Sequence, residues 1–155
     1  MAEKVHGRRG EVTIVVDTNV IISALMTRGI VRELIINNPG AFITPDWCYQ
    51  ELHRHRNVWN RNELPEKEIE DIINDMKKYF IYPVEKEIYQ GRIKDAEPVM
   101  VDHDDVPILA TALSVENYGI WTFDVRHFDT KEIKQLVQIM TTNVVKTILE
   151  NYLRK

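Results

Sequence analysis

Apolar and polar positions along the chain mark out strands and helices in alternation. From Thr13 to Val16 the residues are apolar or β-branched without a polar break, as a strand buried on both faces requires. Asp17, Thr18 and Asn19 interrupt the run, and Asn19–Leu25 resumes it as a helix that ends at Thr27, Arg28 and Gly29. Ile30–Ile36 has the pattern of a second helix, stopped by Asn37, Asn38, Pro39 and Gly40. Ala41–Thr44 forms a short strand. Thr44-Pro45-Asp46 then reads as a helix start, with Thr44 as cap and proline in the first position. At about 100° per residue, Cys48, Leu52, His55 and Trp59 share one stripe, with His55 as a hydrogen-bonded core histidine. Glu51 falls about 60° from the centre of that stripe, at the edge of the buried face.

The helical period is clearest over 65–80, where Ile69, Ile72, Ile73, Met76 and Phe80 recur on one side. Ile81–Val84 is a candidate third strand, and 85–97 a polar helix ended by Pro98. Ile108–Val115 is a buried helix with Pro107 in its first turn and Gly119 beyond its end. Ile120–Phe123 followed by Asp124 repeats the opening motif, a hydrophobic strand with an aspartate at its carboxyl end. Val137–Met140 is a fifth strand. A last helix is capped around Thr141–Asn143 and turns Val144, Val145, Ile148, Leu149 and Tyr152 inward. The resulting order, β-α-α-β-α-α-β-α-α-β-β-α, predicts an α/β fold with a mostly parallel sheet covered on both faces. Residues 12–155 read as a single domain behind a polar, flexible lead-in, 1–11, where fraying is the expectation for the basic segment His6–Arg9 over contact with an acidic partner.

Composition narrows the class. The hydrophobic share of 44% and charged share of 28% belong to an ordinary soluble protein. No apolar run approaches the roughly 18 residues of a membrane span, and the opening MAEKVHGRRGE has no hydrophobic signal core. With Cys48 as the one cysteine, an intramolecular disulfide and a cysteine-based metal site are both excluded. An intracellular, cytoplasmic protein is expected. Net charge is −4, from 20 basic and 24 acidic residues, which is not the footprint of a nucleic-acid binder. Arg54, His55, Arg56 and Arg61 could still contact phosphates locally, or simply form a solvated helix face.

The chemistry lies in carboxylates: Asp17, Glu51, Asp102, Asp104, Asp105 and Asp124. A parallel sheet collects its strand ends on one side, so Asp17 and Asp124 converge if their strands are neighbours. Carboxylates that close raise one another's pKa unless cations lie between them. Hard cations such as Mg²⁺ or Mn²⁺ prefer such all-oxygen surroundings and can promote phosphodiester hydrolysis. Each acid also has a plainer role: Asp17 as a helix cap, Glu51 as a structural flank, one of Asp102–Asp105 as a cap, Asp124 as a turn residue. His53 and His55 are two apart and cannot form an i, i+4 metal pair. His103 and His127 lie near the acids, where either could assist phosphate binding or serve structure. The chain has no G-x-G-x-x-G, Walker loop or serine nucleophile elbow, and Asn19 stands where the second acid of an Asp-x-Asp phosphatase would be.

Together VVDTNVIISAL, the Glu51 helix, DHDDVPILATAL and WTFDVRHF resemble the four motifs of the PIN-domain ribonucleases, in the family's order, over about Val12 to Thr142. The closest flavour is the toxin component of toxin–antitoxin pairs. The resemblance implies a three-layer fold whose five-stranded sheet has the order 3-2-1-4-5, and cleavage of single-stranded RNA with Mg²⁺ or Mn²⁺. Carried over by position, the catalytic, metal-binding acids are Asp17, Glu51, Asp105 and Asp124. Asp105 is chosen because it directly precedes Val106-Pro107. Thr18, Asn19 and Asp104 would support the site, and Arg54, Arg56, Arg126 and His127 are candidate RNA contacts. A homodimer and, for a toxin, an occluding antitoxin protein are further implications. The contrasting reading is a PIN-like scaffold without activity; such a degenerate member would be expected to lack an acid, and here all four positions are filled.

Overall fold

The computed structural model describes residues 12–61 and 63–153; the lead-in 1–11 lies outside them. Five strands, β1 (Ile14–Val16), β2 (Phe42–Pro45), β3 (Ile81–Val84), β4 (Ile120–Trp121) and β5 (Ile139–Met140), form one sheet of order β3-β2-β1-β4-β5. Every pairing is parallel. β1 is central and, as its unbroken apolar run requires, Ile14, Val15 and Val16 are fully buried.

Among the described residues, ten α-helical segments connect and flank the strands. After β1 come α1 (Thr18–Met26) and α2 (Ile30–Ile36); after β2, α3 (Asp46–Arg54), α4 (Arg56–Trp59) and α5 (Glu66–Asp75). Past β3 lie α6 (Lys86–Tyr89), α7 (Ile93–Ala96) and α8 (Val106–Ser114), and later α9 (Lys131–Leu136) and α10 (Thr142–Leu153). The apolar α8 packs on β1, β2 and β4 and is buried on nearly all sides, which its composition demands. Chain direction across the sheet reverses beside β1: β2 and β3 lie to one side, β4 and β5 to the other. The crevice at the carboxyl ends of β1 and β4 is therefore the switch point where open α/β sheets bind ligands.

Several local expectations are corrected. A helix, α9, separates β4 from β5 where two successive strands were expected; parallel neighbours need a crossover, so an element had to lie there. The polar helix over 85–97 is instead a series of single turns, α6 and α7 with 3₁₀ turns Gln90–Arg92 and Glu97–Val99. Helix 65–80 changes after Asp75 into a π-helical turn, Met76–Phe80, and Ile72 is left exposed. The start of α3 is one residue later than read: Pro45 is the cap and ends β2, while the Thr44 hydroxyl donates to the Val16 carbonyl oxygen at 2.8 Å. β4 ends at Trp121, leaving Phe123 exposed.

Two further corrections bear on packing. The α8 cap is the extended Val115, not a glycine. Gly119 instead sits at φ +151° where a Cβ would come within 2.4 Å of the Gln138 carbonyl oxygen, so it permits the close approach of the chain leading into β4 and β5. The inward side of α10 is Val145, Ile148 and Leu149, with Val144 and Tyr152 exposed.

Candidate active site

The local sequence after β1 brings the acids together. Asp17 is the residue after the strand and the cap of α1: its Oδ1 accepts from the Val20 amide at 3.1 Å. Capping and a site role are thus compatible in one side chain. Thr18 and Asn19 form the first turn of α1, not a turn before it, and each reaches a different acid. The Thr18 hydroxyl donates to Glu51 Oε1 at 3.1 Å, and the Asn19 amide donates to Asp124 Oδ2 at 2.9 Å.

Strand register supplies a partner that sequence reading passed over. Val15 pairs with Ile120 and Val16 with Trp121, so the next residues, Asp17 and Thr122, face each other. The Asp17 amide donates to the Trp121 carbonyl at 3.3 Å, and the buried Thr122 hydroxyl donates to Asp17 Oδ2. The same hydroxyl oxygen accepts the Asp124 amide at 3.0 Å. Thr122 therefore ties the two strand-end aspartates to one point. In the sequence Thr122 is only a hydroxyl two residues before Asp124; its contact with Asp17 depends on the β1–β4 register.

Asp17, Glu51, Asp105 and Asp124, together with Thr18, Asn19, Asp102, Asp104 and His127, line one cleft of about 290 Å³. Ile22, Trp59 and Ile108 form its apolar wall, and His55 stands at its margin. His55 is exposed, contrary to the core role read from its stripe: α3 ends at Arg54, and His55 takes non-helical backbone angles that break the stripe before Trp59. Among the described residues lining the cleft there is no lysine or arginine. Arg54 lies over the Trp47 ring at 4.9 Å, and Arg56 pairs with Glu66 at 2.8 Å; both stand outside the cleft lining, as does Arg126. His103 also lies outside it, near Glu97.

The electrostatics follow from burial. Asp17 is 4% exposed, and loss of water pushes its carboxyl up to about 6 against the opposing Thr122 hydroxyl and Val20 amide; the Asp124 carboxylate adds to the rise. Burial likewise pushes Asp105 up to about 6, opposed by its His127 contact. Glu51 is raised by burial, with the Thr18 hydrogen bond opposing. Cys48, wholly enclosed beneath Thr18 and Thr44, is pushed up to about 12 by burial and is an inert thiol.

Six carboxylates around one cleft without a basic side chain in its wall form a site short of positive charge. Asp17 fits a divalent cation well: few donors reach its two oxygens, and burial makes its bare charge costly. The donor set is oxygen-rich, as Mg²⁺ and Mn²⁺ prefer. A possible acidic metal-binding group, Asp102, Asp105 and His127, adjoins it.

Among the described residues, no helix is long and apolar enough to cross a membrane. No curated protein matches the chain. The profile of the PIN domain matches residues 15–149, from β1 into α10. With that match, and with a parallel sheet of order 3-2-1-4-5 holding the acids at its switch point, the chain belongs to the PIN-domain family, whose members are generally nucleases.

Proposed function

We propose that this protein is a divalent-metal-dependent endoribonuclease that hydrolyses phosphodiester bonds of single-stranded RNA, as the toxin of a toxin–antitoxin pair or as an RNA-processing nuclease. The observation that carries this reading is the meeting of Asp17, Glu51, Asp105 and Asp124 in one cleft at the carboxyl ends of β1 and β4. These four would hold Mg²⁺ or Mn²⁺. When bound, the cation supplies an activated water and neutralises charge on the phosphate under attack.

The chain's own residues do the rest. Thr122 fixes Asp17 and the backbone of Asp124, while Thr18 and Asn19 hold Glu51 and the Asp124 carboxylate. Rigid, pre-aimed groups of this kind supply the positioning on which phosphodiester cleavage depends. Trp59, Ile22 and Ile108 limit water on one side of the cleft. Arg54, Arg56 and Arg126, with His127 at the rim, would contact RNA phosphates beyond the acidic floor, since an acidic site must draw its polyanion through outlying cations. Family membership supports a homodimer and, for a toxin, an antitoxin protein that covers the cleft.

The test offers the purified protein a single-stranded RNA, a duplex RNA and a single-stranded DNA, each with Mg²⁺, Mn²⁺ or EDTA. Cleavage of the single-stranded RNA alone, abolished by EDTA, is expected. Cleavage that persists in EDTA would overturn the metal-carboxylate chemistry.

A further inference from the structure

His127 has a place that the four-acid site leaves unexplained. It belongs to the 3₁₀ turn Val125–Phe128, which the fully buried Phe128 pins to the core. Its ring is half-exposed, and Nδ1 lies 3.2 Å from Asp105 Oδ2. A simple ion pair would involve Asp105 alone and, at this exposure, would contribute little. The arrangement holds a third group. Asp102, Asp105 and His127 each offer one ligand atom, and these atoms all lie within 4.8 Å of one another. Adjacent ligands of an octahedral ion with bonds near 2.1 Å stand about 3.0 Å apart and opposite ones about 4.2 Å, so the 3.2 Å between His127 Nδ1 and Asp105 Oδ2 is the spacing of an adjacent pair, and Asp102 would draw in to complete the set. Asp102 is held for this by its cap: one oxygen accepts the Asp104 amide at 3.0 Å and the other is free of that bond.

We propose that His127, through a ring nitrogen, ligates the divalent cation together with Asp102 and Asp105, making one edge of the cleft a mixed nitrogen–oxygen subsite that selects Mn²⁺ or another transition ion over Mg²⁺. This rests on the metal-dependent reading of the cleft. Imidazole suits the transition ions, whereas Mg²⁺ keeps to carboxylate and water oxygens. His127 thereby becomes a determinant of which metal the protein carries.

The test loads the full chain with Mn²⁺ and measures nitrogen hyperfine coupling by pulsed electron paramagnetic resonance, with Mn²⁺ and Mg²⁺ affinities from calorimetry. The wild type and His55→Ala are expected to show a directly bound nitrogen, and His127→Ala and His127→Gln to lack it, each variant being checked for folding by circular dichroism. Mn²⁺ affinity should fall about tenfold in the His127 variants, with Mg²⁺ affinity changed by less than about twofold. Mn²⁺ bound without nitrogen coupling in the wild type, or coupling that survives in His127→Ala, overturns the subsite but leaves the carboxylate site standing. Absence of any Mn²⁺ binding overturns both.

Discussion

The Thr122 hydroxyl donates to Asp17 Oδ2 and accepts the amide of Asp124, joining across the β1–β4 boundary two acids that the chain separates by more than a hundred residues. The parallel register that pairs Val16 with Trp121 makes this meeting unavoidable, because the next residue of each strand is then Asp17 and Thr122. One hydroxyl, not a charge, is what fixes the floor of the cleft.

Removal of that hydroxyl with shape kept should therefore be severe. Thr122→Val leaves a buried carboxylate oxygen without its donor, at a cost of about 1–3 kcal/mol. RNA cleavage should drop about tenfold or more as Asp17 and Asp124 lose their alignment, and Thr122→Ser should recover most of both. Thermal melting beside a cleavage time course checks this; a Val variant with unchanged cleavage would remove Thr122 from its positioning role.

Burial makes the charged Asp17 carboxylate a cost to the metal-free fold. Its carboxyl pKa of about 6 in the fold stands above the ordinary 3.8, so between roughly pH 4 and 6 the folded protein binds more protons than the unfolded chain. Stability of the metal-free protein must then fall as pH rises through that window, and Asp105, shifted the same way, adds to the fall. The Asp17 contribution is on the order of 2–3 kcal/mol. Denaturant melts in EDTA at pH 4.5 and pH 7.5 would show it as a lower midpoint at the higher pH, once general charge effects are set by an Asp17→Asn reference.

That same variant should be more stable than wild type in EDTA near neutral pH, by roughly 1–3 kcal/mol, because a neutral amide needs no cation. Cleavage should be lost. Added Mn²⁺ should raise the wild-type melting temperature and leave Asp17→Asn nearly unmoved. Stabilisation of both by equal amounts would point to metal bound away from Asp17.

Asn19 offers a test of positioning without a stability penalty, since it is exposed on the first turn of α1. Asn19→Ala frees Asp124 and should reduce cleavage several-fold, roughly 3- to 30-fold, while the melting midpoint moves by no more than about 0.5 kcal/mol. By contrast, Gly119→Ala lies outside the cleft lining yet should destabilise by a few kcal/mol, about 2–4, because the new Cβ would press on the Gln138 carbonyl.

Much of this was legible in the residues. The unbroken run before Asp17 declared a central buried strand, and Ile120–Asp124 repeated its motif; that the two strands are neighbours came only with the strand order that the resemblance implied. Glu51 at the edge of its helix stripe is half-buried as its angle implied. What failed is what depends on chain geometry beyond periodicity. His55 continued an apolar stripe on paper, but a helix end has no period to continue. The polar segment 85–97 has too few buried anchors to hold one helix, and its turns follow their local partners, such as the Tyr89 hydroxyl on Asp46. Thr122 was missed because its importance comes from register with β1, which a single strand does not display.

The most direct measurement is a calorimetric titration of Mn²⁺ into the wild type and into Asp17→Asn, paired with cleavage of a single-stranded RNA under the same conditions. Binding and cleavage present together in the wild type and lost together in Asp17→Asn are the predicted result. Cleavage by the wild type without detectable metal binding, or undiminished in Asp17→Asn, would contradict the account.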